Sequence, residues 1–428
     1  MPDEQANSTP PVDGQKDDGL NPVRDAPNQL QSEAHIDAVN PVTVPPTNGE
    51  HSPGNDEELR RAREALPTVD KMIVLPDFED WAQKILTDVA WNYYRSAADQ
   101  ERSYEGSMDA LRRYSFRPRM LRDMSNGSIK TSFLGYESEL PIYIAPAAMC
   151  KLGHPLGEIN LTKAAGDAGI FQSVSANASC TLEEIFAAKK EDQFMAYQTY
   201  IDVNRDLTTE ILQKVERLGA KAIIFTVDVG WWSKRTLETR HGGELPKASL
   251  GAFMAMGGRQ DRNLSWNDIS WIRRQTKLPI IVKGVQTIED VALCVDNGAD
   301  AVMISNHGGR QLDYAPAPID ILYELRTYRP DLLDKIDILV DGGVRYGADV
   351  VKLLALGAKA VGFGRTFLYA NATHGEDGVR RAIEILREEI SYTMWNIGAA
   401  TVADLKPEMV GPSGPWVGMN RPVYATKY

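Results

Sequence analysis

Cysteine is scarce. Cys150, Cys180 and Cys294 are an odd, scattered set without a C-x-x-C pair, which excludes a disulfide framework and points to a reducing compartment. No run approaches the roughly 20 apolar residues needed to cross a bilayer, so no membrane span is expected. The N-terminus carries Asp3 and Glu4 and lacks an apolar core, unlike a secretory signal, and is too acidic for a mitochondrial presequence. The ending Thr426-Lys427-Tyr428 is not the Ser-Lys-Leu type of address, and the expected location is cytoplasmic. Positive charge is also short: 47 Lys and Arg face 59 Asp and Glu, a net charge of −12. That balance repels phosphate polyanions and argues against a general nucleic-acid or anionic-membrane binder. An anionic small molecule would need a local cluster of arginines. No zinc-ligand spacing occurs, and His154, His241 and His374 each stand alone, so no metal is expected.

Aromatic residues are all but missing from residues 1–55, which are rich in Pro, Asn, Asp, Gln and Ser. Such a segment cannot bury enough apolar surface to offset its ordering entropy, and it reads as a disordered polar tail. His35 and His51 are conceivable haem ligands, but no periodicity surrounds them from which to build a pocket. Residues 56–428 read as one catalytic domain. Helix-like runs at 57–65 and 78–98 open it. Short apolar, β-branched runs then recur at 141–145, 171–175, 194–201, 222–227, 279–285, 301–305, 336–340 and 360–363. They alternate with helix-like segments that include 182–189, 208–218, 288–297, 319–325, 348–356 and 378–390. Eight strand–helix units predict an α/β fold, a (β/α)₈ TIM barrel behind an N-terminal helical segment; an open doubly wound sheet is the alternative. The connection 229–265 is unusually long and contains Gly242, Gly243, Gly251, Gly257 and Gly258, the composition of a lid or an insertion.

Chemistry in such a barrel gathers where strands end. The sixth strand runs into Ser305-Asn306-His307-Gly308-Gly309-Arg310, which brings a base and a cation to one mouth. The fourth ends at Thr226-Val227-Asp228, with Arg235 beyond; Asp228 either supports His307 or caps its loop. Lys283 lies in an apolar run of the fifth strand, where an ammonium needs a negative partner such as a reduced flavin or an ordinary ion pair. Asp341-Gly342-Gly343-Val344-Arg345 and Gly362-Phe363-Gly364-Arg365 end the seventh and eighth strands, the usual phosphate corner of barrels. Without a third glycine and a Rossmann context, NAD is disfavoured. Gln198 and Tyr200 end the third strand, as ring and substrate contacts or as packing residues.

Residues 78–404 resemble the FMN-dependent 2-hydroxy acid oxidase/dehydrogenase family, which includes glycolate oxidase and the flavin domain of flavocytochrome b2. The run from Ser305 to Asp313 carries the resemblance most specifically. Tyr93-Tyr94, Ala145-Pro146-Ala147-Ala148-Met149, Tyr197-Gln198-x-Tyr200, Thr226-Val227-Asp228, Ile281-Val282-Lys283-Gly284-Val285, Asp341-Gly342-Gly343-Val344-Arg345 and Gly364-Arg365 agree in order and spacing. The resemblance implies FMN as cofactor and oxidation of an (S)-2-hydroxy acid to the 2-oxo acid. It implies His307 as base, Asp228 as its support, and Arg235 and Arg310 on the carboxylate with Tyr93 and Tyr200 at the substrate. Ala147, Ser175, Gln198, Thr226, Lys283, Ser305, Asp341, Gly343, Arg345, Gly364 and Arg365 are the implied cofactor contacts. Oxygen or an electron-carrier protein is the implied acceptor, and a homotetramer the implied assembly. Two departures stand out. Asn177 occupies a substrate-pocket position where relatives often carry a large apolar or aromatic side chain, which suggests a substrate other than plain glycolate or lactate. Gly230-Trp231-Trp232 and Arg235-Thr236 replace the family's Pro and Arg-Glu in the loop framing the site. Another FMN-barrel chemistry (a monooxygenase or an isomerase) and a non-catalytic flavin-binding barrel are the alternatives.

Overall fold

The computed structural model describes residues 53–241 and 260–412. Of the expected tail, residues 1–52, with His35 and His51, lie outside the described residues, as do the five loop glycines from Gly242 to Gly258 and residues 426–428, while residues 53–55 begin the helix Pro53–Glu64. Eight parallel strands close into a barrel: β1 (Ile142–Ala147), β2 (Phe171–Val174), β3 (Met195–Thr199), β4 (Ala222–Thr226), β5 (Ile280–Val285), β6 (Ala301–Ile304), β7 (Asp337–Asp341) and β8 (Ala360–Phe363). Each pairs with its neighbours in chain order, and β8 returns to β1 with Gly362 opposite Tyr143. An open sheet is thereby excluded. The strands are buried on both faces, so they read as continuous apolar runs in the sequence.

Eight helices alternate with them: α1 (Glu158–Ala168), α2 (Leu182–Ala187), α3 (Arg205–Arg217), α4 (Asn267–Gln275), α5 (Ile288–Asp296), α6 (Pro318–Tyr328), α7 (Gly347–Leu356) and α8 (Arg365–Ile397). Expected and observed helices differ at several places, among them these two. The run 78–98 is two helices, Leu75–Ile85 and Asp88–Arg95, because the Thr87 hydroxyl caps the second by accepting from the Ala90 N–H at 3.3 Å. The segment expected over 378–390 belongs to the much longer α8, which kinks at His374 and Gly375. Its first turns are buried on every side, from Thr366 to Thr373, so they carry no amphipathic stripe for a reader to find.

Side-chain alternation divides the barrel. Facing inward, Tyr143, Phe171, Ala196, Ala222, Ile224, Ile281, Ala301, Met303, Leu339 and Ala360 form one apolar cluster with Phe133. Phe133 comes from the hairpin of Thr131–Phe133 and Tyr136–Ser138; its ring lies 5.7 Å from Phe171 and 6.0 Å from Phe194 and plugs the amino-terminal end. A second, larger cluster fills the layer between strands and helices. No described helix is long and apolar enough to cross a membrane.

Candidate active site

Strand period two determines what faces the open end. Two positions beyond the inward Ala196, Ile224, Ile281, Met303 and Leu339 stand Gln198, Thr226, Lys283, Ser305 and Asp341. The same inner face is thus apolar at its base and polar at its carboxyl end. There it opens into a cavity lined by residues of every strand end or the loop after it. Every residue that the resemblance implies for catalysis, substrate or cofactor, except Asp228 and Ser305, lines this cavity, and those two bond directly to residues that do.

The turn after β6 is a short 3-10 segment in which His307, Gly308 and Gly309 all take positive φ, of +56°, +63° and +75°. The His307 Nδ1 pairs with Asp228 Oδ1 at 2.9 Å. Burial works against charge on Asp228, yet the adjacent imidazole and Lys283 outweigh it and hold the carboxyl below its ordinary range. Burial likewise depresses His307, only partly offset by Asp228, so the neutral ring is favoured. An ionised Asp228 accepts the Nδ1 proton, which leaves Nε2 as the free lone pair. Ser305 ties this pair to the barrel floor. Its hydroxyl donates to Asp341 Oδ1 at 2.6 Å and accepts from Lys283 Nζ at 2.9 Å and from the His307 N–H at 3.0 Å. One proton and two lone pairs are thereby used within the protein. Lys283, 5% exposed, also lies 3.8 Å from Asp341.

Arg235 and Arg310 form a cationic corner. Arg310 Nη1 donates to the carbonyls of Tyr93 at 2.7 Å and Ser96 at 3.0 Å. Burial, followed by the nearby Arg235, lowers Arg310 to about 10. Arg235 is covered by the Trp232 ring, 4.3 Å from its guanidinium carbon, and its Nε is buried with no hydrogen-bond partner. Tyr200 and Tyr93 are both raised above the ordinary phenol value by burial and remain neutral. Tyr93, Tyr200 and Trp232 line the same cavity.

A third corner offers polar atoms with no partner. The Gln198 Oε1 accepts from the Ser175 hydroxyl at 3.3 Å and the Ala176 N–H at 3.1 Å, which turns Nε2 toward the cavity; that nitrogen is buried and unpaired. Thr226 Oγ1 and Asn177 Oδ1 are also buried and unpaired. Ala147, at the end of β1, adds backbone to the lining. At the far end Gly343, Arg345, Gly364 and Arg365 line the cavity where α8 begins; the Phe367 N–H bonds the Gly364 carbonyl at 3.1 Å, and the N–H groups of the first two residues have no partner within the helix. Arg365 donates to the carbonyls of Tyr94, Gly308 and Ser96 at 2.8–2.9 Å, which leaves one N–H on each terminal nitrogen. Arg345 is held by the Tyr104 hydroxyl at 3.1 Å and lies 3.4 Å from Glu79.

Two site residues are not evident in the sequence. Ser96 receives both Arg310 and Arg365 on its carbonyl. Glu238, on the unanticipated helix Thr236–His241 inside the long connection, approaches both Arg235 and Arg310. Only the i,i+3 spacing of Arg235 and Glu238 hinted at the latter.

The model of a family described as FMN-dependent dehydrogenase matches residues 82–412. An L-lactate dehydrogenase (cytochrome) of Saccharomyces cerevisiae is 40% identical over 382 residues, covering 84% of this chain and 65% of that protein. The chain thus spans less than two thirds of that relative. A peroxisomal (S)-2-hydroxyacid oxidase of Arabidopsis thaliana is 39% identical over 352 residues, 79% of this chain and 96% of the other. Among solved structures, the flavin-binding domain of baker's yeast flavocytochrome b2 superposes with a TM-score of 0.79 at 40% identity, over 84% of this chain and 91% of the other. A mandelate oxidase variant with (S)-mandelic acid gives 0.73 at 33% identity, over 80% and 98%.

Proposed function

The chain belongs to the FMN-dependent dehydrogenase family, and from that premise we propose that it binds FMN and oxidises an (S)-2-hydroxy acid to the 2-oxo acid. The observation that carries the reading is the His307–Asp228 pair at 2.9 Å beside two buried arginines at one barrel mouth. The donor set fits the cofactor. Gln198 Nε2 and Thr226 Oγ1 are unpaired polar atoms suited to the hydrogen-bonding edge of an isoalloxazine. Gly343, Arg345, Gly364, Arg365 and the start of α8 suit its phosphate, and Asp341 its ribityl chain. Bound FMN supplies the two-electron oxidant.

The chain's own residues do the rest. Arg235 and Arg310 hold the substrate carboxylate, with Tyr93 beside them and Tyr200 near the hydroxyl. On becoming a ketone the alcohol loses two protons and two electrons; His307 Nε2 takes one proton, and the electron pair with the other proton would leave through the two-electron oxidant that bound FMN supplies. Asp228 fixes the tautomer that leaves this lone pair free and stabilises the ring once it is charged. Lys283 places a positive charge in the floor, where it would offset negative charge on a bound FMN. Trp232 and the unpaired Asn177 Oδ1 favour a side chain that is flat or offers a hydrogen-bond donor over a bare methyl.

Either oxygen or an electron-carrier protein takes the electrons onward, the family resemblance supports a homotetramer, and the scarce, unpaired cysteines suit a reducing, cytoplasmic setting. The test is anaerobic mixing of the yellow holoprotein with a panel of 2-hydroxy acids, followed by air. Bleaching names the substrate, the speed of return in air distinguishes oxygen from a carrier, and 2-oxo acid is the expected product. A panel that leaves the flavin oxidised overturns the reading. Size-exclusion chromatography with light scattering checks the assembly.

A further inference from the structure

The two arginines of the clamp share one carboxylate. Glu238 Oε2 lies 3.7 Å from Arg235 Nη1 and 3.8 Å from Arg310 Nη2, while the Ser96 hydroxyl donates to the same oxygen at 3.2 Å. Both arginine distances are too long for hydrogen bonds, so they are contacts of charge. The side chains are mostly buried, 7% exposed for Arg235 and 15% for Arg310, and charge contacts are felt more strongly there than in water. Neither guanidinium donates to Glu238, so their N–H groups facing it remain available to an incoming anion.

We propose that Glu238 is a built-in counter-ion that sets the strength of the carboxylate clamp, a role that rests on the clamp function proposed above for Arg235 and Arg310. Two cations and one anion leave a single positive charge, which one substrate carboxylate neutralises. The product carries the same carboxylate. A clamp of two uncompensated guanidiniums would hold it as firmly as the substrate and delay its departure. Glu238 removes that excess, and the Ser96 hydroxyl keeps its oxygen at a distance where it lowers the local potential without occupying the arginine donors. The long connection after β4 thereby contributes a charge to the site as well as a wall.

The experiment is calorimetric titration of the flavin-loaded protein with oxalate, a planar two-carbon dianion that presents a carboxylate beside further oxygens. Glu238→Gln, which keeps the shape and loses the charge, is expected to bind oxalate at least five-fold more tightly than the unsubstituted protein. Glu238→Asp, which keeps the charge, is expected to stay within two-fold of it. In turnover, Glu238→Gln should lower KM and increase inhibition by the 2-oxo acid product. A residue that merely props the arginines gives the opposite sign, so unchanged or weaker oxalate binding by Glu238→Gln overturns the proposal. If the unsubstituted protein itself ignores both oxalate and every 2-hydroxy acid, the clamp reading fails and this inference falls with it. If it binds oxalate and Glu238→Gln does not tighten, the role of Glu238 alone is lost.

Discussion

His307 occupies a backbone conformation that few side chains adopt, at φ +56°, and it is held there by bonds at both ends: its N–H to Ser305 and its Nδ1 to Asp228. His307→Gln is expected to slow anaerobic flavin bleaching by about 10²–10⁴-fold, the usual scale for loss of a general base. Stopped-flow absorbance measures this, and an unchanged rate removes His307 from the chemistry. The acid limb of kcat/KM reports the same group. With neutral His307 as the proposed base, activity is expected to fall as pH drops through its pKa. Because burial depresses that pKa, the limb should lie below the ordinary histidine value of about 6.5. Asp228→Asn removes a group that raises it, so the limb should move lower still while the rate drops, since nothing then fixes the tautomer. A limb that moves upward would contradict this pairing. Ser305 is a cofactor contact that the family resemblance implies. Its hydroxyl bonds Asp341, Lys283 and the His307 N–H, bonds that join residues from three strand ends and are invisible in a one-dimensional motif.

The elements that shape the cavity include one from outside the eight units. The helix Arg102–Arg112 lies against the turns after β6 and β7 so closely that a Cβ on Gly309 would meet the Tyr104 nitrogen at 2.6 Å, and one on Gly343 the Ser107 carbonyl carbon at 2.7 Å. Both glycines also have φ near +75° to +79°, where an L side chain is strained. Gly309→Ala and Gly343→Ala are each expected to cost about 2–4 kcal/mol, from left-handed strain plus overpacking against backbone. Denaturant unfolding of the holoprotein checks the cost, and faster loss of FMN on dilution checks the link to the phosphate corner. A change below 1 kcal/mol would mean that the helix yields easily. The strands were legible element by element, since each is a short apolar run between turn residues. The fully buried start of α8 was not, because a helix without a polar face leaves no period in the sequence.

At the scale of the whole molecule, the cavity is lined by residues from Tyr93 to Leu368, all within the span matched by the family. A chain lacking residues 1–46 is therefore expected to retain FMN and bleach with the same substrate at an unchanged rate. A loss of flavin or a slowed reduction in that truncated protein would assign the polar segment a part in the site. Its effect on reoxidation is a separate measurement, because a carrier protein has reasons to touch surfaces that the substrate never meets.

Composition and local pattern by themselves determined the eight-fold alternation, the histidine and the cations at the strand ends, and the absence of zinc-ligand spacing in the chain. These depend on neighbours a few residues apart, and strand period two and the glycine-bearing turns are local properties. Only the tertiary structure decided how the polar groups divide their bonds. It gave the Ser305 hydroxyl to Asp341 and the Arg365 donors to the carbonyls of Tyr94, Ser96 and Gly308, and it set Glu238 between two arginines. Arg310 and Glu238 are 72 residues apart in the chain, and a hydrogen bond or charge contact over that separation exists only once the barrel has closed and brought its loops to one mouth.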